Sequence, residues 1–224
     1  MEQLEEFRYG GHSFHFADSN QQSFAVRSIM KELPLYQLEA IQFRRGDVMI
    51  DIGAHCGLVS IVAAKMNPGI SVYSFEPYPR NYQAFVRNIE RNSVSNIRPF
   101  NCGVTGDGRQ LNLKIKHNNT GGCSAFKHFD GSFDDEVCVE STTLDAIFES
   151  INSDSCKLLK LDCEGAEHEI IRTFNRWNDV ENLVGEFHMN STLERLRFSM
   201  EESVSKVQKG VREIVKIHFI RMIE

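Results

Sequence analysis

No stretch of the 224 residues approaches the ~20 consecutive apolar residues that span a bilayer, so no membrane span is expected. Regular cysteine spacing is missing as well. The six cysteines, at 56, 102, 123, 138, 156 and 163, form no C-x-x-C pair, which argues against zinc or a disulfide framework and for small buried hydrophobes in a reducing compartment. Nor is there a surplus of basic charge. A formal net charge of −6 disfavours nucleic-acid backbone binding as the main task, because such a surface has to gather lysine and arginine. Internal repeats and low-complexity tracts are absent, and the acidic opening Met1-Glu2-Gln3-Leu4-Glu5-Glu6 reads as neither signal nor transit peptide. What remains is a globular chain, expected in the cytoplasm, whose 41% hydrophobic and 25% charged residues suit one α/β domain better than two cores.

What is present is an alternation of strand and helix. Apolar runs at 48 to 52, 71 to 76, 97 to 104, 158 to 161 and 181 to 187 read as strands, and 57 to 66, 79 to 92, 143 to 151 and 166 to 176 as helices. Such alternation predicts a mostly parallel sheet with helices on both faces. Residues 1–45 carry mixed helical patterning, with Ile29, Leu33, Tyr36, Leu38 and Ile41 spaced to cover one edge of the core and Pro34 interrupting, and read as an N-terminal cap on a domain at 46–224. Short alternating runs at 111 to 116 and 137 to 142 flank the polar loop Asn118-Asn119-Thr120-Gly121-Gly122, predicting a small β insertion beside the site. The tail from 191 is expected to supply a long helix and a strand over 214 to 222.

The most informative segment is Asp51-Ile52-Gly53-Ala54-His55-Cys56-Gly57, a buried strand ending in an acid and a glycine turn that opens a helix. Twenty-five residues beyond Asp51, the second strand ends in Glu76-Pro77, where an acid is placed to accept hydrogen bonds from both hydroxyls of an adenosine ribose. A dinucleotide turn needs a middle glycine so that its backbone can approach a pyrophosphate, and here Ala54, His55 and Cys56 fill the interval between Gly53 and Gly57. S-adenosylmethionine (SAM) has no phosphate and carries a cationic amino group and sulfonium. Asp51 suits those cations through charge-assisted hydrogen bonding and would repel a pyrophosphate, so the local chemistry favours SAM over NAD.

Ligands of an open parallel sheet bind beyond the carboxyl ends of its strands. Five polar groups fall at four such ends: Asp51, Glu76, Asp162, Glu186 and His188. Any one of these acids alone reads equally well as a helix cap or a surface carboxylate. Lys160 shares a face with Asp162 by the period of two, and a lysine on a central strand is either ion-paired or part of the site. His188 is the histidine best placed to take a proton from a hydroxyl, with Glu186 two residues before it to orient the ring. Asp162, Glu186 and His188 could equally hold one divalent ion, and spacing leaves metal-assisted and metal-free chemistry open.

With these motifs assembled, the chain resembles the FkbM-type family of SAM-dependent methyltransferases, in "GDVMIDIGAHCGLVS" (46 to 60), "VYSFEPYPRNYQAFVRNIERN" (72 to 92), "STTLDAI" (141 to 147), "KLLKLDCEGAEHEII" (157 to 171) and "GEFH" (185 to 188). The resemblance implies a Rossmann-like class I methyltransferase fold with a seven-stranded, mostly parallel sheet, and methyl transfer to hydroxyls of sugars, lipids or other small metabolites. By the same likeness, Asp51, Gly53, Ala54, His55 and Gly57 would line the methionine end of SAM and Glu76-Pro77 the ribose. Lys160, Asp162, Glu186 and His188 would border the acceptor. Two departures stand out: His55 replaces a common asparagine, and the tail beyond 190 matches poorly. An NAD-dependent oxidoreductase and a non-catalytic SAM-binding module are the competing readings. The first is disfavoured by the missing middle glycine and Asp51; the second has no need of Lys160, Asp162, Glu186 and His188.

Overall fold

The computed structural model describes residues 3–19, 24–126, 133–151, 153–186 and, as backbone, 187–188 and 222–223. Its centre is a parallel sheet of five strands: β3 (Val48–Ile52), β4 (Ser71–Phe75), β5 (Ile97–Phe100), β10 (Leu158–Leu161) and β11 (Leu183–Gly185), in the order β11-β10-β3-β4-β5. The chain builds outward from β3 through β4 to β5, then returns to lay β10 on the other side of β3. Connectivity therefore reverses between β3 and β10, the place where open sheets form a ligand crevice.

Period-two alternation assigns the two faces of this sheet. Met49, Val72, Leu158 and Val184 pack under α2 (Leu58–Met66) and α3 (Pro79–Asn92). Ile50, Ile52, Tyr73, Phe75, Leu159, Leu161 and Leu183 pack under α4 (Leu144–Ser150) and α5 (Glu167–Thr173). Pro79 opens α3, where its missing N–H is no loss, and the Thr143 side chain caps α4 by accepting from Ala146 N at 3.2 Å.

The N-terminal segment is not helical throughout, as its patterning suggests. Strands β1 (Glu5–Tyr9) and β2 (His12–Phe16) form an antiparallel hairpin about Gly10 and Gly11, both with positive φ, and α1 (Phe24–Glu32) follows. Phe14 and Phe16 are fully buried against α2, and asparagines of α3 grip the backbone beyond them. Asn92 and Asn88 each both accept from and donate to the main chain, at His15 and Ala17 respectively, over 2.8–3.1 Å.

The span read as one strand at 97 to 104 divides. After β5 the chain turns at Asn101, whose amide donates to the carbonyls of Glu76 and Pro77, and β6 (Gly103–Thr105) pairs instead with β9 (Ser141–Thr143). Strands β7 (Leu111–Ile115) and β8 (Asp135–Val139) form the expected antiparallel insertion. β12 (Phe187–His188) pairs in parallel with β13 (Met222–Ile223), and the rest of the tail, including the expected long helix, lies outside the described residues. Among the described residues, no helix is long and apolar enough to cross a membrane.

Candidate active site

Asp51 lies in register between Lys160 of β10 and Ser74 of β4, and all three side chains fall on the α2 face. A carboxylate with no solvent exposure needs partners. Its Oδ1 is 3.0 Å from Lys160 Nζ, and its Oδ2 accepts from Ser60 Oγ of α2 at 2.5 Å, with Ser60 in turn 2.8 Å from Ser74. Lys160 also donates to the Gly53 carbonyl at 3.0 Å and lies 3.7 Å from Asp162 Oδ2. Asp51 thus sits beneath the glycine turn, spent on internal partners, and lines neither of the cavities described below.

The turn itself is held by close approach. Gly53 has φ +84°, and a Cβ there would fall 1.8 Å from the Asp162 carbonyl oxygen; at Gly57, φ +83°, it would fall 1.9 Å from the Phe85 ring. Neither contact can relax without moving backbone or a buried ring, which explains glycine at both positions.

Glu76, at the end of β4, is buried. Its Oε2 accepts from the His55 N–H at 2.8 Å, and its Oε1 from the Tyr78 N–H at 2.9 Å and from Asn81 at 3.4 Å. Burial pushes its carboxyl up to about 7, against the pull of those donors. His55, at φ +51°, turns its imidazole into the protein, where Nε2 lies 3.1 Å from Thr120 Oγ1 and Nδ1 has no partner. Burial brings the ring down to about 4, so it is neutral. Thr120 belongs to the polar loop of the insertion. It also contacts Ser19 Oγ at 3.1 Å, and its carbonyl accepts from Asn81.

Asp162 follows β10, and its Oδ2 accepts from the Tyr36 hydroxyl at 2.8 Å. Burial and the neighbouring carboxylates hold that phenol well above its ordinary range, so it stays a donor. Glu186, buried after β11, donates its N–H to the Leu161 carbonyl at 3.0 Å. Glu167, fully buried in the first turn of α5, accepts from the Cys163 and Gly165 N–H groups at 2.8 Å and fastens the turn after β10. The backbone of His188 lies in β12, while its side chain falls outside the described part of the structure.

Two cavities open along the carboxyl ends of the strands. The first, of about 360 Å³, is walled by one face of α1 (Phe24, Ala25, Ser28, Ile29 and Glu32) and by Tyr36, and floored by Lys160, Asp162 and Glu186. The second lies beside Glu76 and Pro77, between apolar residues such as Phe75, Val104 and Phe126. Gly53, His55, Gly121, Asp162 and Glu164 border both, so the glycine turn forms part of the wall between them. The structure thus brings Gly53, Ala54, His55, Lys160, Asp162 and Glu186 to the first cavity and Glu76 and Pro77 to the second. Gly57 lines neither and serves packing. Tyr36, Asn81, Thr120 and Ser60 join the site without having been singled out for it. Tyr36 carries the helical spacing of a core residue, and nothing in that spacing reveals where its hydroxyl ends.

These features define an open, doubly wound α/β protein whose ligand crevice lies at the switch point of its sheet. The chain belongs to the FkbM methyltransferase family: the family model, described as the Methyltransferase FkbM domain, matches residues 51–222 and so continues past residue 190, where the motif resemblance ends. Similar proteins include Methyltransferase 1 of Beauveria bassiana (strain ARSEF 2860), 26% identical over 157 residues that cover 62% of this chain and 63% of the relative. Another is the 31-O-demethyl-FK506 methyltransferase FkbM of Streptomyces tacrolimicus, 30% identical over 90 residues, covering 40% of this chain and 34% of the relative. The chain therefore spans less than two thirds of the length of these curated relatives. The crystal structure of a SAM-dependent methyltransferase from Agrobacterium tumefaciens shares the fold at a TM-score of 0.51 and 11% identity, over 94% of this chain and 61% of that one.

Proposed function

We propose that the protein is a SAM-dependent O-methyltransferase acting on a hydroxyl of a small acceptor such as a sugar or lipid. The observation that carries this reading is the pair of cavities meeting at Gly53, His55 and Asp162, one beside a ribose-type acid and the other large enough for an acceptor group. The residues fit SAM: Glu76 offers a carboxylate to two ribose hydroxyls, apolar side chains flank the adenine side, and acceptors rather than cations line the junction where a sulfonium would lie. The FkbM relative, named for methylation of a 31-O-demethyl compound, supports transfer to oxygen. At about 60 Å³ the second cavity is smaller than an adenosine, so residues 120–126, which border it, have to draw back to admit one. On this reading the residues beyond β11 complete a seven-stranded class I sheet and residues 1–45 cap the acceptor side.

When bound, SAM supplies an electrophilic methyl carbon. The chain's own part is to hold the acceptor oxygen in line and to remove one proton. Asp162, fixed by Tyr36 and Lys160, orients the acceptor hydroxyl. His188 takes its proton, with Glu186 orienting the imidazole. Calorimetry is expected to show binding of SAM and none of NAD, and label from methyl-labelled SAM is expected to reach at least one member of a hydroxyl-compound panel. His188→Ala should bind SAM normally and lose on the order of 100-fold or more in turnover. Full turnover in that variant would move the base elsewhere, and NAD binding without SAM binding would favour the oxidoreductase.

A further inference from the structure

The unpartnered nitrogen of His55 has a definite hydrogen-bonding character, which follows from counting protons around Thr120. Asn81 donates its amide N–H groups to the Thr120 carbonyl and to Glu76, both acceptors only, so its Oδ1 is the atom facing Ser19. Ser19 has one hydroxyl proton, and the 2.6 Å contact to that Oδ1 consumes it. In the 3.1 Å contact between Ser19 and Thr120 the proton therefore comes from Thr120. Having given up its only proton, Thr120 Oγ1 accepts from His55, so the imidazole carries its hydrogen on Nε2 and Nδ1 presents a lone pair. That lone pair is buried, and no described group donates to it.

The two ring nitrogens diverge, and Nε2 is held on Thr120, which borders only the second cavity. Nδ1 is turned away from that wall, on a residue that borders both cavities. The donors nearest this junction are already committed. Lys160 is engaged with Asp51, Gly53 and Asp162, the Tyr36 proton with Asp162, and the backbone N–H groups of Gly53, Ala54 and His55 with Phe75 and Glu76. What the junction offers a ligand is acceptors: His55 Nδ1 and the Asp162 carboxylate.

We propose that His55 Nδ1, together with Asp162, receives the α-ammonium of the cofactor's methionine end, the role that sequence alone suggested for Asp51. The proposal rests on the cofactor reading above. A primary ammonium brings three donors to a floor that lacks them, whereas Asp51 is neutralised by Lys160 and buried below the turn. Burial keeps the imidazole neutral, so it does not repel the cation. Serving through its lone pair, His55 is a binding residue and does not take the acceptor's proton.

The test compares two probes by calorimetry: S-adenosylhomocysteine, which has the α-ammonium, and 5′-methylthioadenosine, which lacks the amino-acid group. His55→Leu is expected to weaken S-adenosylhomocysteine roughly 10- to 100-fold, the range of one hydrogen bond to a charged group, and to leave 5′-methylthioadenosine within about twofold. His55→Asn, which keeps an acceptor, should retain most of the affinity. If His55→Leu does not fold, the wild-type ring is read directly by ¹⁵N NMR, assigning His55 among the eight histidines by its loss in His55→Asn. Nδ1 should be unprotonated in the free protein and move upfield with S-adenosylhomocysteine only. A proton on Nδ1, equal responses to the two probes, or equal weakening of both by His55→Leu overturns the assignment. Failure of the wild type to bind either probe overturns the cofactor reading beneath it.

Discussion

At the scale of single residues, Glu76 joins a structural burden to a binding one. Its carboxyl is buried at the strand end and accepts from three protein donors, yet burial still raises it to about 7 from an ordinary value of 4.5. Because the folded value lies above the unfolded one, this group's contribution to stability is fully present below about pH 4.5 and is lost as the pH rises through 7. The shift corresponds to about 3 kcal/mol. Chemical denaturation of the wild type and of Glu76→Gln at pH 5 and pH 8 checks it. The variant loses hydrogen bonds at both values, but the stability difference between the two proteins should move in the variant's favour at pH 8 by up to about 3 kcal/mol. A pH-independent difference would mean that Glu76 titrates normally. Ribose binding needs the ionised form, so SAM affinity is expected to rise over the same interval in which stability falls.

Among secondary-structure elements, the buried row of Lys160, Asp51 and Ser74 shows what strand pairing adds to a sequence. Periodicity alone places Lys160 on one face of β10, but its partner depends on β10 lying beside β3 in the register that sets Lys160 opposite Asp51. Removing one member of a buried pair strands the other. Lys160→Met is expected to cost about 3–5 kcal/mol in urea unfolding, and the double variant with Asp51→Leu to cost less than the sum of the two single changes. Strict additivity would show that the two charges do not interact. The same dependence on neighbours governs what else was legible. The central strands, α2 to α4 and the acids at the strand ends follow from period and position, since each depends on local residues. Tyr36 and Thr120 depend on chain segments 126 and 65 residues from their partners Asp162 and His55, and no local pattern encodes such contacts. The β1–β2 hairpin is a different case. Its apolar residues Phe7, Tyr9, Phe14 and Phe16 do sit at period two around Gly10-Gly11, but the helical spacing over 29 to 41 dominates the wider segment.

For the whole molecule, the question is whether residues 1–45 are an appendage to a domain that begins near the family match at residue 51. Helix α2 answers it, for every residue from Leu58 to Ala64 is buried, and only a layer on each side produces that pattern. The sheet supplies one layer; β2 and α1 supply the other. The union is specific as well as apolar. Asn88 and Asn92 stand one helical turn apart, a rise of about 6 Å, which matches the ~6.6 Å between alternate strand residues, so both amides reach successive main-chain sites at Ala17 and His15. Seven buried side chains come from this segment into the core under α2: Phe14, Phe16, Val26, Leu33, Tyr36, Leu38 and Ile41. At roughly 1.5–3 kcal/mol for each, their loss exceeds or equals the ~5–15 kcal/mol by which domains are stable. A chain of residues 46–224 is therefore expected to lack a cooperative thermal transition and to bind a hydrophobic dye, whereas a cut before residue 5 should leave the transition within a few degrees of the parent. A sharp transition in the 46–224 chain would show that the sheet and its helices stand without the hairpin, and would make the N-terminal segment a true cap.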